Sequence, residues 1–269
     1  MRNWTKPVLV SLMVAGGPGL VAISRPAIGN DVEEQRLLDR PRDRNRNFTD
    51  NDGPRETETV ERTVALPANG TVRVKNFSGD IRVTAGSGSY VVLKATRRAP
   101  RETLDHVKLQ VTSSGSEVFI EANDKDPNWS RARNHSDVVE TQMEIQVPAS
   151  ADLDIDAFSS DVSIEGIGAD QRIKTFSGMI TVRGLKGEID AETFSADIRV
   201  TLDAASKGSV SFDSFSGRLD SSVPITTSSY NSGRRRGRQS RDVEGTLQGG
   251  AGPRLRFHTF SGDVELRTN

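Results

Sequence analysis

From residue 62 onward the chain is written in strands. Apolar and polar residues alternate at Val72 and Val74, at Ile81 and Val83, at Val107, Leu109 and Val111, at Val118 and Ile120, and at Met143, Ile145 and Val147. That period of two belongs to strands with one buried face. Helical periodicity is nearly absent, and one turn of helix is predicted over Arg101–His106.

The strand pattern also repeats. Six segments carry Phe-Ser, a third residue that is usually Gly, and then alternating apolar positions; they begin at Phe77, Phe158, Phe176, Phe194, Phe215 and Phe260. Eighteen residues separate Phe158 from Phe176 and Phe176 from Phe194. Such a period is too short for a propeller blade or a helical repeat, and it suits two short strands and two turns, one coil of a β-solenoid. The predicted fold is all-β: a single stack of β-solenoid or β-helix-like coils of about 18 residues. Between Phe77 and Phe158 the stack carries longer hairpin insertions or a wider first section. Between Phe215 and Phe260 it carries an inserted basic loop over 226–253.

The ends of the chain read differently. Residues 1–29 have the order of a secretory signal, with Arg2 and Lys6 first, an apolar stretch from Val8 to Val14, then small residues. Gly16, Gly17, Pro18 and Gly19 interrupt the apolar run, which speaks for a cleaved signal over the alternative of an N-terminal anchor. Residues 30–61 are rich in Arg, Asp, Glu and Asn and read as a disordered polar linker, with at most a short helix over 31–38. The repeat body is then 62–269. An exported protein, periplasmic, cell-surface or secreted, is the expectation. The final repeat leaves no residues for a cap, so an exposed edge is expected at the C-terminal coil.

Composition narrows the chemistry. With 34% hydrophobic and 5% aromatic residues the chain cannot fill a thick core, and a thin, elongated body is favoured. A formal charge of -1 gives no global pull toward nucleic acid. The absence of cysteine removes disulfides, zinc-cysteine sites and thiol nucleophiles.

The run Thr71-Val72-Arg73-Val74-Lys75-Asn76-Phe77-Ser78-Gly79-Asp80-Ile81-Arg82-Val83, with Val91 to Thr96 and the later Phe-Ser-Gly units, resembles the bacterial putative-adhesin β-strand-repeat family, the DUF4097 domain of unknown function. The resemblance covers 61–269. It implies a β-rich extracytoplasmic fold with an adhesin-like label, and it brings no catalytic residues with it.

If the coils stack in register, each motif position becomes a column with a step of about 4.8 Å. The phenylalanines at 158, 176, 194, 215 and 260 are expected to stack in that order as core at one corner. A second placement stays open, because the alternation through Leu153, Ile155 and Ala157 puts Phe158 on the opposite face unless the strand kinks. In that case the rings form a surface ladder that sugars could stack on. The motif serines lie in no nucleophile elbow, and His106, His135 and His258 have no triad or metal-ligand spacing. The residue after the turn is Asp80, Asp161, Met179, Asp197, Arg218 and Asp263, too interrupted for a calcium ladder. No catalytic residue, metal or cofactor is assigned.

The remaining candidate is a run of arginines, Arg234, Arg235, Arg236, Arg238 and Arg241, with no acid among them. Such a run is a solvated loop or an anion-binding patch for an anionic envelope polymer, glycan or protein; nucleic acid is not expected. The leading reading is a non-enzymatic envelope or surface binding and scaffold module. Its rivals are a polysaccharide-active β-helix enzyme and a self-assembling structural element.

Overall fold

The computed structural model describes residues 54–125, 138–228 and 241–269, with the backbone of 229–231, 234–235 and 238–239 between the last two. All of them belong to one compact unit, Asp50–Asn269. The signal segment 1–29, the helix proposed over 31–38 and Arg236 lie outside the described residues.

Six coils form the centre. Each has one strand in either of two sheets: β2 (Thr71–Ser78) and β3 (Ile81–Gly86), β8 (Asp152–Ser159) and β9 (Val162–Glu165), β10 (Gln171–Thr175) and β11 (Ile180–Arg183), β12 (Ile189–Thr193) and β13 (Ile198–Leu202), β14 (Gly208–Ser214) and β15 (Leu219–Ser221), β20 (Arg254–Thr259) and β21 (Val264–Thr268). Within each sheet these strands pair in parallel. The architecture is a β-solenoid-like stack of two parallel-rich sheets, as the 18-residue period predicts.

The order of the coils is not the order of the chain. The second sheet runs β14-β20-β12-β10-β8-β2, so the last coil is inserted between the fourth and the fifth. The exposed edge expected at the C-terminal coil is therefore not there. Both neighbours of β20 and β21 are strands of this chain, and the outermost coil is β14 with β15.

The long interval after Phe77 builds the N-terminal end. β4 (Tyr90–Pro100), α1 (Arg101–His106), β5 (Val107–Ser114), β6 (Glu117–Lys125) and β7 (Glu140–Pro148) occupy it. β6 pairs in parallel with β2 and β7 with β3, so the two continue the stack as a wider first section, and β5 joins β6 in an antiparallel hairpin. β5 and β4 then pair antiparallel outside them. β1 (Arg55–Ala65) covers β4 along eleven paired residues. This strand begins inside the segment read as linker, because its alternating Thr57, Thr59 and Glu61 are compatible with a largely exposed edge strand that needs few apolar residues.

At the other end, the segment 226–253 is no simple loop. β16 (Ile225–Asn231) and β19 (Arg241–Leu247) form an antiparallel hairpin that extends the second sheet beyond β14. Gly245 and Leu247 are buried and seat it. Toward its tip, backbone pairing joins β17 (Arg234–Arg235) to β18 (Arg238–Gln239).

The core lies between the sheets and is thin. Ile155, Ile173, Ala191, Phe257 and Phe212 are in register on successive strands of the second sheet and all are buried. Small Ala191 stands beside large Phe257, which is how a tightly packed column absorbs an aromatic ring. The facing sheet contributes Val162, Ile180, Ile198 and Val264 in register. Coils approach closely at the motif glycines: a Cβ on Gly178 would lie 1.8 Å from Ser160 O, and one on Gly262 1.7 Å from Ala196 O.

Candidate binding face

The six motif phenylalanines form one row on the outside. Phe77, Phe158, Phe176, Phe194, Phe260 and Phe215 stack in that order, with ring centroids 4.6–4.9 Å apart and planes within 10° of each other. Each ring is 40–45% exposed. The expectation that they are core, and that Phe215 follows Phe194, is corrected on both counts. The cause is strand alternation without a kink: Leu153, Ile155 and Ala157 face inward, so Phe158 faces out. Among the described residues the aromatic side chains buried in the core are Phe212 and Phe257.

The turn that follows each ring is held from inside. The residue before Phe is buried in every coil: Asn76, Ala157, Thr175, Thr193, Ser214 and Thr259. Asn76 Nδ2 donates to Gly79 O at 2.8 Å, Thr259 Oγ1 donates to Gly262 O at 2.7 Å, and Ser214 Oγ accepts from Gly217 N at 2.7 Å. Outside the turn, the aspartates fasten one coil to the next. Asp161 Oδ1 accepts from Met179 N at 2.8 Å, Asp197 Oδ1 from Asp263 N at 3.0 Å, and Asp263 Oδ1 from Arg218 N at 2.9 Å. These carboxylates work as backbone acceptors, and Arg218 closes their column after Asp263.

Two further rows run beside the rings on the same outer face. One consists of Arg73, Asp154, Arg172, Asp190, Arg256 and Ser211, the other of Lys75, Asp156, Lys174, Glu192, His258 and Asp213, all placed by strand register. Successive coils thus carry charges of alternating sign. Ion pairs cross the strands: Arg73 with Asp154 at 3.7 Å, Lys174 with Glu192 at 2.8 Å and Arg256 with Asp190 at 3.5 Å, while His258 Nδ1 lies 3.3 Å from an Asp213 carboxylate oxygen. The Lys174 hydrogen bond holds the Glu192 carboxyl below its ordinary range, and the same bond raises Lys174. This alternation escaped the sequence reading, although aligning Asp154, Arg172 and Asp190 at the 18-residue period displays it.

Between the rings and the second charged row lies a groove of about 620 Å³. Lys75, Asp156, Lys174, Glu192 and His258 form one side, Phe77, Phe158, Phe176, Phe194 and Phe260 the other. Lys75 Nζ also sits 5.3 Å from the centre of the Phe119 ring, within cation–π range. Among the described residues no group of His, Asp and Glu side chains is arranged to hold a metal ion. No helix among them is long and apolar enough to cross a membrane.

The arginine run is placed only in part. The side chains of Arg234, Arg235 and Arg238 lie outside the described residues. Arg241 is exposed and donates from Nη1 to Gly217 O at 3.1 Å, which ties the tip-side end of β19 to the fifth motif turn.

The stacked coils and the outer aromatic row define a two-sheet β-solenoid-like protein with one built, solvent-facing surface. The Toastrack DUF4097 family model matches residues 42–267, and the chain belongs to that family. Its structure is similar to that of a putative cell adhesion protein from Clostridium sporogenes, with a TM-score of 0.52 at 9% identity, covering 79% of this chain and 100% of that one. At that identity the likeness shows the fold. Putative adhesins from Parabacteroides distasonis (TM-score 0.28, 10% identity, 61% of this chain and 68% of that one) and Bacteroides fragilis (0.25, 10%, 79% and 97%) superpose too loosely to add to it. No curated protein matches the chain.

Proposed function

We propose that this chain is a non-enzymatic, exported binding and scaffold module of the cell envelope or surface, and that it binds through the outer face of the second sheet. The observation that carries the reading is the unbroken row of six exposed phenylalanines, since a soluble protein seldom leaves a contiguous apolar stripe in water without a partner for it. The cell-adhesion name of the Clostridium sporogenes protein of like fold points the same way. The groove beside the row offers apolar edges on one side and alternating charges on the other, a setting for an extended polymer such as a glycan.

A polysaccharide-cleaving enzyme on this scaffold is the less favoured reading. Its general acid would need a carboxyl held above the ordinary range, whereas Glu192 in the groove is held below it by Lys174. The arginines at 234, 235, 236, 238 and 241 are proposed as a separate contact for an anionic envelope polymer.

The test is a screen of purified protein on glycan arrays and isolated cell-wall polymer, run beside a hydrolysis assay on whatever is retained. Retention without turnover, lost on substituting the ladder phenylalanines, is the expected outcome. Turnover, or retention indifferent to those substitutions, would contradict the reading.

A further inference from the structure

The charged rows say more than that the face is sticky. Along the second sheet the six coils carry, in spatial order, Arg73 and Lys75, then Asp154 and Asp156, then Arg172 and Lys174, then Asp190 and Glu192, then Arg256 and His258, then Ser211 and Asp213. Each strand presents one sign and the signs alternate. Within the sheet this places opposite charges side by side, which favours the register.

An even number of alternating stripes has a second property. Rotated by half a turn about an axis that lies in the face, runs along the strands and passes between the third and fourth coils, the pattern maps every positive stripe onto a negative one. Coil three then meets coil four, coil two meets coil five, and coil one meets coil six. The same rotation keeps each row opposite its own kind, so the phenylalanine row meets the phenylalanine row. Rotation about the stacking direction instead would set every coil against itself, like charge on like. The face is self-complementary about one axis and self-repelling about the other.

We propose that the outer face of the second sheet pairs with the same face of a second copy of this chain, about a two-fold axis parallel to the strands. The proposal rests on the reading that this face binds, and it names the partner. The pairing is isologous, the commonest symmetry of soluble oligomers. It sets Lys174 opposite Glu192 of the other copy twice over, and brings Phe176 onto Phe194, Phe158 onto Phe260 and Phe77 onto Phe215.

Shape permits it. Adjacent strands in ordinary sheets rotate by about 20–25°, which twists a wide face out of plane. Here the planes of successive rings differ by only 3–10°, so each ring lies nearly parallel to the next along the row. Six strands at about 4.8 Å and three rows at about 6.7 Å give roughly 600 Å² of face per copy, the low end for a specific interface. Beyond the six coils the axis brings Glu121 of β6 toward Asp242 of β19, like charge on like. The contact is thereby limited to the coils, and a weak, reversible dimer is expected, one that loosens as salt screens the stripes.

Sedimentation equilibrium of the full chain over a dilution series tests this. The parent should show a monomer–dimer equilibrium that shifts toward monomer with added salt. Lys174→Glu and Glu192→Lys, each confirmed folded by circular dichroism, should each weaken the dimer by about tenfold or more, as like charges then meet across the axis. Mixed together, the two variants should form a heterodimer close to the parent in strength, because each chain supplies the charge the other lacks. Phe176→Ser should weaken the dimer without any such rescue.

A parent that remains monomeric, or a dimer indifferent to either charge reversal, overturns the proposal. So does a pair of weakened variants that fails to recover on mixing. Glycan retention that depends on the ladder, in a chain that stays monomeric, would sink the self-pairing and leave the face as a binding surface. Indifference of both retention and self-association to the ladder substitutions would sink both.

Discussion

Phe194 stacks on Phe260 at 4.6 Å, and not on Phe215, the next motif phenylalanine in the chain. The insertion of the last coil agrees with the charges. β20 brings Arg256 and His258 between Asp190 and Glu192 on one side and Asp213 on the other. Were β14 seated directly on β12 in the same register, Asp213 would face Glu192 across one strand spacing, about 0.9 kcal/mol of repulsion even at the dielectric of water.

If that account is right, Arg256→Glu should destabilise the fold by about 1 kcal/mol, the scale of an exposed cross-strand pair turned from opposite to like charges. Adding Ser211→Lys, which gives the new carboxylate at position 256 an opposite charge on its other side without disturbing Arg172 and Asp190, should recover part of the loss. Urea unfolding of both variants reads this out, and an Arg256→Glu protein as stable as the parent would mean that these charges do not help to hold the coil in its slot.

The buried threonines before each ring divide into two kinds. Thr175 and Thr193 have hydroxyls buried with no hydrogen-bond partner among the described residues, whereas Thr259 donates to Gly262 O. Thr175→Val and Thr193→Val should therefore be neutral or stabilise by about 1 kcal/mol, and Thr259→Val should cost about 1 kcal/mol. Thermal melts that show losses at all three positions would place a partner on the first two hydroxyls.

The Lys174–Glu192 pair has a signature in pH. With the Glu192 carboxyl held below its unfolded value, the pair adds stability above the ordinary carboxylate range and loses it as pH falls through the folded value. Lys174, raised, contributes below the ordinary lysine range, and that contribution fades as pH rises through its folded value. Lys174→Met should move the Glu192 titration upward in carbonyl-detected NMR. An unmoved titration would assign the depression to something other than this pair.

Ring position separates two classes of phenylalanine. Phe176→Ala should cost about 1–2 kcal/mol, from partial burial and stacking, while Phe257→Ala should cost about 3–5 kcal/mol as a buried aromatic. Equal losses in denaturant unfolding would return the ladder to the core.

The strand period and the 18-residue repeat were legible in the sequence because both are local: Leu153, Ile155 and Ala157 alternate, and Phe158, Phe176 and Phe194 recur, whatever the rest of the chain does. The outward placement of Phe158 is legible from that same alternation, against the general tendency of aromatic rings to be buried. The coil order was not legible. It depends on which strand accepts β20, a pairing between residues far apart in the chain. The charge stripes appear only once Asp154, Arg172, Asp190 and Arg256 are known to be neighbours. The hairpin of β16 and β19 was hidden for a different reason, since its Thr, Ser and Tyr residues alternate without the apolar contrast that marks a strand.

The central claim is that this protein binds through its outer aromatic row. It is tested most directly by measuring the folded Phe176→Ala/Phe194→Ala variant against the same cell-wall polymer, glycan or second copy that holds the parent. Binding weakened by at least about tenfold in a protein that still melts cooperatively is the result this account predicts, because the two central rings sit at the middle of the face, where hot spots concentrate. Undiminished binding by that variant would contradict it.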